Sequence, residues 1–300
     1  MASDSSFKEF ISGLLRRGRV NDTHIEMFLT PENLAKAREA FTHSSFDADK
    51  NYEMPEFFGD SIINGFVPWY IRLRFPKIKN IKWLTRIKHN LISKKVLAQL
   101  ARAQGLEKYI RFGDTLITKK GKPFLLKDVV EILRTKTISE ITGHMAAFTY
   151  LSLLEDSMEG FFGWLVMTVI DSGKSHGVAI QICHNILRSF FDAENISIEY
   201  DQVFDAVSRL KELYEMKSRG YRWPNDKAYQ ITSIEDDKFR VDVFGWPKGD
   251  KKVTDENRVK LATEVGHDKD DVKQKAAGKA LQVLARTYHI SETPPDPYQR

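Results

Sequence analysis

The period of the apolar pattern changes once along the chain, and that change limits the possible folds more than any other feature. Through most of the first 195 residues, apolar side chains recur at helical spacing: Phe7 to Leu15, Leu34 to Phe41, Phe57 to Ile71, Leu91 to Ala103 and Glu159 to Ile170. Pro31, Pro76, Gly105, Gly113 and the stretch Gly121 to Pro123 separate them. After Asp192 a short polar link, Ala193 to Asp201, leads into a helical stretch, Ala206 to Met216. Tyr229 to Ile234, Phe239 to Phe244 and Val259 to Val265 then read as strands, and Val272 to Leu284, rich in Ala, Lys, Leu and Gln, as a closing helix. This order predicts an α+β protein: an all-α domain over 1–195, a linker at 196–204 and an α-β-β-β-α domain over 205–288. The tail 289–300, with three prolines, is expected to be disordered.

Three hundred residues, 42% of them apolar, suffice for one helical domain and a smaller second one, each with its own core. The single cysteine, Cys183, excludes an intramolecular disulfide and any cysteine cluster for zinc, and the eight histidines show no paired ligand spacing. A reducing compartment, cytoplasmic or otherwise intracellular, is expected. Met1 to Phe10 has no basic segment followed by a long apolar one and reads as a poor secretory signal. The longest apolar run, Phe161 to Ile170, is half of the roughly 20 residues needed to cross a bilayer, so no membrane partner is expected.

Net charge is +5, but its distribution is more informative than its total. From Arg72 to Lys127 about sixteen Lys and Arg face two acids, Glu107 and Asp114, whereas the last hundred residues nearly balance. That asymmetry suits a polyanion-facing stripe, although a solvated helix face would look the same.

Two acidic pairs flank the stripe. Glu56 and Asp60, in Asn51 Tyr52 Glu53 Met54 Pro55 Glu56 Phe57 Phe58 Gly59 Asp60, lie one helical turn apart and share a face, where like charges repel unless a cation neutralises them. Phe57 and Phe58 are expected to anchor that helix in the core, and Gly59 to permit close helix contact. Asp156 and Glu159, in Leu154 Glu155 Asp156 Ser157 Met158 Glu159 Gly160 Phe161 Phe162 Gly163, also share a face, at the expected opening of the most apolar helix. A solvated acidic face explains the first pair equally well, and a helix capping box the second. Taken together, four oxygen ligands on two helices could hold one or two Mg²⁺ ions, a set suited to phosphodiester hydrolysis.

With these motifs in hand, the chain resembles the ribonuclease III family. Ala40 Phe41 Thr42 His43 Ser44 Ser45, with Asn51 Tyr52 Glu53 and Glu56 to Asp60, is similar to the family signature. Leu84 Thr85 Arg86 Ile87 Lys88 to Leu91, Leu106 to Gly113 and Asp156 to Gly163 look like its later blocks, in the right order. The resemblance implies that Glu56, Asp156 and Glu159 ligate the metal, that Asp60 positions water or metal with Glu159 as its catalytic partner, and that Glu53 is a further acid near the site. It implies Mg²⁺ as cofactor, with Mn²⁺ able to substitute, and a homodimer that cuts double-stranded RNA to leave 5′-phosphates and short 3′ overhangs. Lys88, Lys94 and Lys95 in the stripe, and Lys269 and Lys273 at the last helix, are the candidate RNA contacts.

Two departures from the family pattern stand out. About forty residues, an insertion near 115–150, separate Gly113 from Asp156, and a second acidic pair, Asp128 and Glu131, sits at the usual distance. Asp156 and Glu159 are preferred because Gly160 Phe161 Phe162 Gly163 and the later Asp171 Ser172 Gly173 follow them, whereas Leu133 Arg134 Thr135 Lys136 follows the other pair. The insertion and the Phe7 to Leu15 helix are similar to forms carried by large DNA viruses. Second, the C-terminal segment resembles a double-stranded-RNA-binding domain through Ser208 to Leu213 and Lys275 to Leu281, but Asp270 and Asp271 dilute its basic cluster, and Glu235 Asp236 Asp237 stands in place of the glycine, proline and histidine of the usual first hairpin. The alternative function is therefore a non-catalytic RNA-binding protein retaining the fold, as a ribosomal component or silencing suppressor. A helical scaffold would leave the ordered motifs unexplained.

Overall fold

The structure, a computed structural model, describes residues 3–114, 116–119, 122–141, 147–215, 225–235, 238–246 and 256–299. Two compact units divide the chain: Met1–Ile138 with Phe148–Ile196, and Ser139–Ala147 with Ser197–Gln299.

Among the described residues, the first unit's regular elements are helices and one hairpin. Its helices are α1 (Asp4–Arg17), α2 (Asp22–Phe28), α3 (Pro31–Glu39), α4 (Glu53–Arg74), α5 (Ile81–Leu91) and α6 (Lys94–Ala103), followed by a 3-10 turn at Leu106–Tyr109. Short polar side chains start several of them: Ser3, Asn21, Thr30 and Asn80 each accept a hydrogen bond from a first-turn backbone N–H. Ile92 and Ser93 interrupt the periodic stretch Leu91 to Ala103, so it forms the end of α5 and all of α6. The insertion contributes the antiparallel hairpin of β1 (Leu116–Lys119) and β2 (Lys122–Leu125), then α7 (Leu126–Arg134); all of α8 (Ile138–Ile141) but its first residue is assigned to the second unit. Next come α9 (Ala147–Asp171) and α10 (His176–Asp192), the latter capped by Ser175.

The core of this unit is aromatic and centred on α9. Phe41 meets Phe7 edge-on and Phe161 at a tilt, Phe162 meets Phe190, and Phe28 meets Trp164. Nearly every residue of α9 from Ser157 to Val166 is buried, which is what a helix apolar on all sides requires. Because α9 begins at Ala147, Asp156 and Glu159 lie in mid-helix, and the capping-box reading of that pair falls away.

Two glycines set how closely α4 and α9 meet. A Cβ on Gly59 would collide with the Glu159 carbonyl, and one on Gly163 with the Pro55 carbonyl. Close contact at Gly59 follows the sequence reading. The expected anchoring by Phe57 and Phe58 does not: they are 70% and 41% exposed. Gly59 and the buried Ile62, Ile63 and Phe66 fix which face of α4 turns inward, and at 100° per residue the two phenylalanines point away from it.

The second unit places α11 (Tyr200–Val203), α12 (Ala206–Glu215) and the single turn α13 (Asn225–Ala228) before β3 (Tyr229–Ile234), β4 (Lys238–Gly245) and β5 (Val259–Gly266), and closes on α14 (Lys269–Tyr288). The strands form one antiparallel sheet in the order β3-β4-β5, with Ile231 opposite Val241 and Val241 opposite Glu264. Leu210, Leu213, Val241, Val243, Trp246, Leu261, Ala277 and Leu281 fill its core. The segment read as a linker contains α11, with Val203 and Phe204 buried. The start of the expected disordered tail is tied down, because Ile290 packs on this core and Glu292 pairs with Arg209 at 3.1 Å. Met216 and the hairpin residues Asp236 and Asp237 lie outside the described residues.

Candidate active site

Burial of α9 on all sides carries its two acids inward with it. Glu159 is only 7% exposed, and Asp156 is half-buried. The glycine contact brings α4 alongside, so Glu56 faces them, and one carboxylate oxygen from each of Glu56, Asp156 and Glu159 lies within 4.8 Å of the others. Among the described residues no other cluster of acids, histidines or cysteine meets this test. Asp128 and Glu131, the competing pair on α7, are both exposed and outside it.

Crowding of carboxylates in a dry site disfavours their ionised forms. Burial, then repulsion from Asp60, Glu56 and Asp156, pushes Glu159 up to about 8. Burial and then Asp156 push Glu56 up to about 7. Asp156 is raised by burial against the opposing pull of Lys94 and of a hydrogen bond from Tyr52. Three acids that resist ionisation together could hold a hard cation: charge from outside the protein would relieve both repulsion and desolvation.

The surroundings hold this cluster in place. The Tyr52 hydroxyl donates to Asp156 Oδ2 at 3.1 Å, and the Tyr52 N–H donates to the Thr42 carbonyl at 2.9 Å. Thr42 belongs to the first motif block, which is laced to the third: Arg111 N–H donates to the Phe41 carbonyl, His43 N–H to the Arg111 carbonyl, and Gly113 N–H to Ser45 Oγ. These two sequence blocks are thus one structural strap behind the acidic helix. Asp60 is exposed, its Oδ1 accepting from Asn64 Nδ2 at 2.6 Å; Glu53 is exposed, one turn before Glu56.

Of the expected RNA contacts, Lys95 and Lys269 are exposed and Lys88 is half-buried on α5. Lys273 sits 4.5 Å from the Tyr229 ring. Lys94 has a different place: its ammonium pairs with Glu155 and faces the carboxylate cluster, where it lowers the pKa of all three acids. Sequence reasoning missed this role of Lys94, and those of Tyr52 and Asn64. Asn64 is four residues after Asp60, a spacing that puts them on one face and could have been noticed; nothing local marks the other two.

A family model described as ribonuclease-III-like matches residues 33–135. That match covers Glu56 and Asp60 and stops before Asp156, so the second half of the site rests on the geometry above. A protein of Frog virus 3 that carries a provisional ribonuclease 3 name is 30% identical over 93% of this chain, which spans 63% of that relative's length. One from Invertebrate iridescent virus 6, named likewise, is 28% identical over 98% of this chain and 92% of its own. The ribonuclease 3 of Pediococcus pentosaceus is 25% identical over 85% of this chain and 91% of its own. Among the described residues no helix is long and apolar enough to cross a membrane. In its ordered motif blocks, in the family match over residues 33–135 and in relatives aligned over most of its length, the chain is similar to proteins of the ribonuclease III family.

Proposed function

We propose that this chain is an endoribonuclease that hydrolyses double-stranded RNA with a divalent cation held by Glu56, Asp156 and Glu159. The observation that carries the reading is the convergence of these three carboxylates within 4.8 Å, two of them raised to about 7 and about 8 in a partly dry site. Their all-oxygen chemistry fits Mg²⁺, with Mn²⁺ able to substitute. Bound there, the ion would supply an activated water and stabilise charge on the phosphate. The protein's own groups do the positioning. Tyr52 fixes the Asp156 carboxylate by its hydrogen bond, Asn64 orients Asp60 at the exposed edge of the site, and Glu155 holds the Lys94 ammonium where its positive charge acts on all three carboxylates.

Likeness to the ribonuclease III family supports the finer reading: 5′-phosphate products with short 3′ overhangs, a homodimer, and the second unit as a double-stranded-RNA-binding domain. The exposed Met54, Phe57 and Phe58 at the start of α4 offer an apolar face for a second copy. In the second unit, Asp268 caps the N–H groups of Asp270 and Asp271 on α14, while Lys275 and Lys279 pair with Asp271 and Glu264. Its acids therefore tie up part of the basic surface, and its contribution to RNA affinity is expected to be modest.

Cleavage of a long RNA duplex, an RNA single strand and a DNA duplex of equal length, with Mg²⁺ and with chelator, tests the reading. Cutting of the RNA duplex alone, only with Mg²⁺, is expected, since A-form shape and 2′-hydroxyls distinguish that substrate. Equal cutting of DNA, or none of any substrate, would refute it.

A further inference from the structure

The strap formed by the first and third motif blocks has a second face, and it borders a cavity of about 860 Å³ that the cleavage reading does not use. That volume falls within the range of small-molecule sites, roughly 300–1,000 Å³. Three arginines from separate segments line it: Arg38 from the end of α3, Arg111 from the strap, and Arg134 from the end of α7, the last paired with Glu107.

Arg38 and Arg111 are held rather than left loose. Arg111 Nε and Nη2 donate to Thr42 Oγ1 at 3.0 and 2.6 Å, and that hydroxyl donates to the Arg38 carbonyl at 2.7 Å. Arg111 forms no ion pair among the described residues; burial and then the charge of Arg38 lower its pKa, against the opposing pull of Asp47, Glu39 and Asp4. An anion in the cavity that reaches both guanidinium groups would add to that opposing charge. The Arg38 guanidinium lies 3.7 Å from the Phe7 ring centroid, and its ion pair is with Asp4, a fully exposed side chain. Such a surface pair contributes little and yields readily to a better anion. Glu107 also lines the cavity, but its carboxylate is already shared by Arg102 and Arg134.

The remaining lining says what else the ligand carries. Phe46 is 45% exposed, with Arg111 5.0 Å from its ring, which leaves an aromatic face open for stacking. The geometry points to a binding site for the terminal phosphate of a nucleotide, free or at the 5′ end of an RNA strand, with Arg38 and Arg111 on the phosphate and Phe46 against the base. Guanidinium forks match phosphate oxygens in pairs, and an exposed ring accepts any base.

The site is separate from the acidic cluster, so binding is measured on the full chain in chelator, where no cleavage occurs, and cleavage of duplex RNA is assayed separately. The probes are AMP against adenosine, and a 5′-phosphorylated RNA hexamer against its 5′-hydroxyl form. The phosphorylated member of at least one pair should bind about tenfold more tightly, Arg38→Gln should abolish that preference, and Asp4→Asn, which frees Arg38, should enhance it. AMP bound at least as tightly as the phosphorylated hexamer assigns the site to free nucleotides; a tighter hexamer assigns it to RNA ends. No preference in either pair, a preference that survives Arg38→Gln, or no gain with Asp4→Asn overturns the proposal. Should Arg38→Gln fail to fold, the Asp4→Asn arm decides alone. Each of these results leaves the cleavage reading untouched, and loss of cleavage with phosphate preference intact would refute that reading only.

Discussion

Replacing Glu159 by glutamine should stabilise the protein when no metal is bound and destroy the effect of adding one. In the unfolded chain this carboxyl releases its proton near the ordinary value of 4.5; in the folded protein it holds the proton up to about 8. Between those values unfolding releases a proton, so raising the pH favours the unfolded state. At pH 7 the resulting cost of folding is about 3 kcal/mol, and at pH 5 it is below about 1 kcal/mol. The larger figure is a ceiling, because Glu56, Asp156 and Asp60 share the same repulsion and relax together. With roughly 2–4 °C per kcal/mol for a unit of this size, Glu159→Gln should melt up to about 6–12 °C above the wild type in chelator at pH 7. At pH 5 the two should nearly coincide. Adding Mg²⁺ at about a hundred times its dissociation constant should raise the wild type by about 2.7 kcal/mol and leave the variant nearly unmoved. Thermal melts followed by circular dichroism, at both pH values with and without Mg²⁺, make the comparison. A variant that melts below the wild type in chelator at pH 7, or an equal response of both to Mg²⁺, would show that these carboxylates are not a strained cation site.

Three further outcomes follow from the same geometry. Glu159→Gln should lower duplex-RNA cleavage by about a hundredfold or more, while Glu131→Gln, on an exposed α7 side chain outside the cluster, should keep most of it; the reverse in a gel assay would move the site to the insertion. Gly59→Ala places a methyl group against the Glu159 carbonyl and should cost about 1–3 kcal/mol in chemical denaturation, with cleavage falling further as Glu56 is pushed from its partners. Removing residues after about 200 should weaken duplex-RNA affinity only modestly and leave most of its salt dependence. Each neutralised phosphate contributes about −0.9 to the log-log slope on duplex DNA, with similar behaviour expected on duplex RNA, so loss of most of the slope would identify the second unit as the main clamp.

How far the sequence alone leads depends on whether a residue's role is set locally or across the fold. The strands and the helix after residue 205 were readable because alternation and helix-forming composition act within a few residues, and Tyr229–Ile234 forms just where the pattern places it. The acidic pairs were readable because helical spacing fixes which side chains share a face. Which second pair completes the site was harder, since two candidates have nearly the same local grammar. Gly163, one turn after Glu159, separates them: with Gly59 it allows α9 to lie against α4. Phe57 and Phe58 show the opposite case: aromatic character argues for the core, but the neighbouring Gly59, Ile62 and Ile63 claim the inward face and turn both rings outward.

That outward turn bears on how the site is built. Free energy that two buried aromatic rings could have contributed to this unit is left on its surface, about 1.5–3 kcal/mol for each such side chain. On the same helix, turned the other way, Glu56 joins a cluster whose members resist ionisation. The helix α4 therefore leaves stability unused on both faces, in a crowded carboxyl on one and exposed apolar surface on the other. An external cation relieves the first, and the proposed second copy of the chain would relieve the second. If both faces serve binding, Phe57→Lys should abolish dimer formation by light scattering at micromolar concentration while leaving the Mg²⁺-induced rise in melting temperature in place. A wild type that is already monomeric there, or a variant that loses the Mg²⁺ response along with the dimer, would refute this division of labour between the two faces.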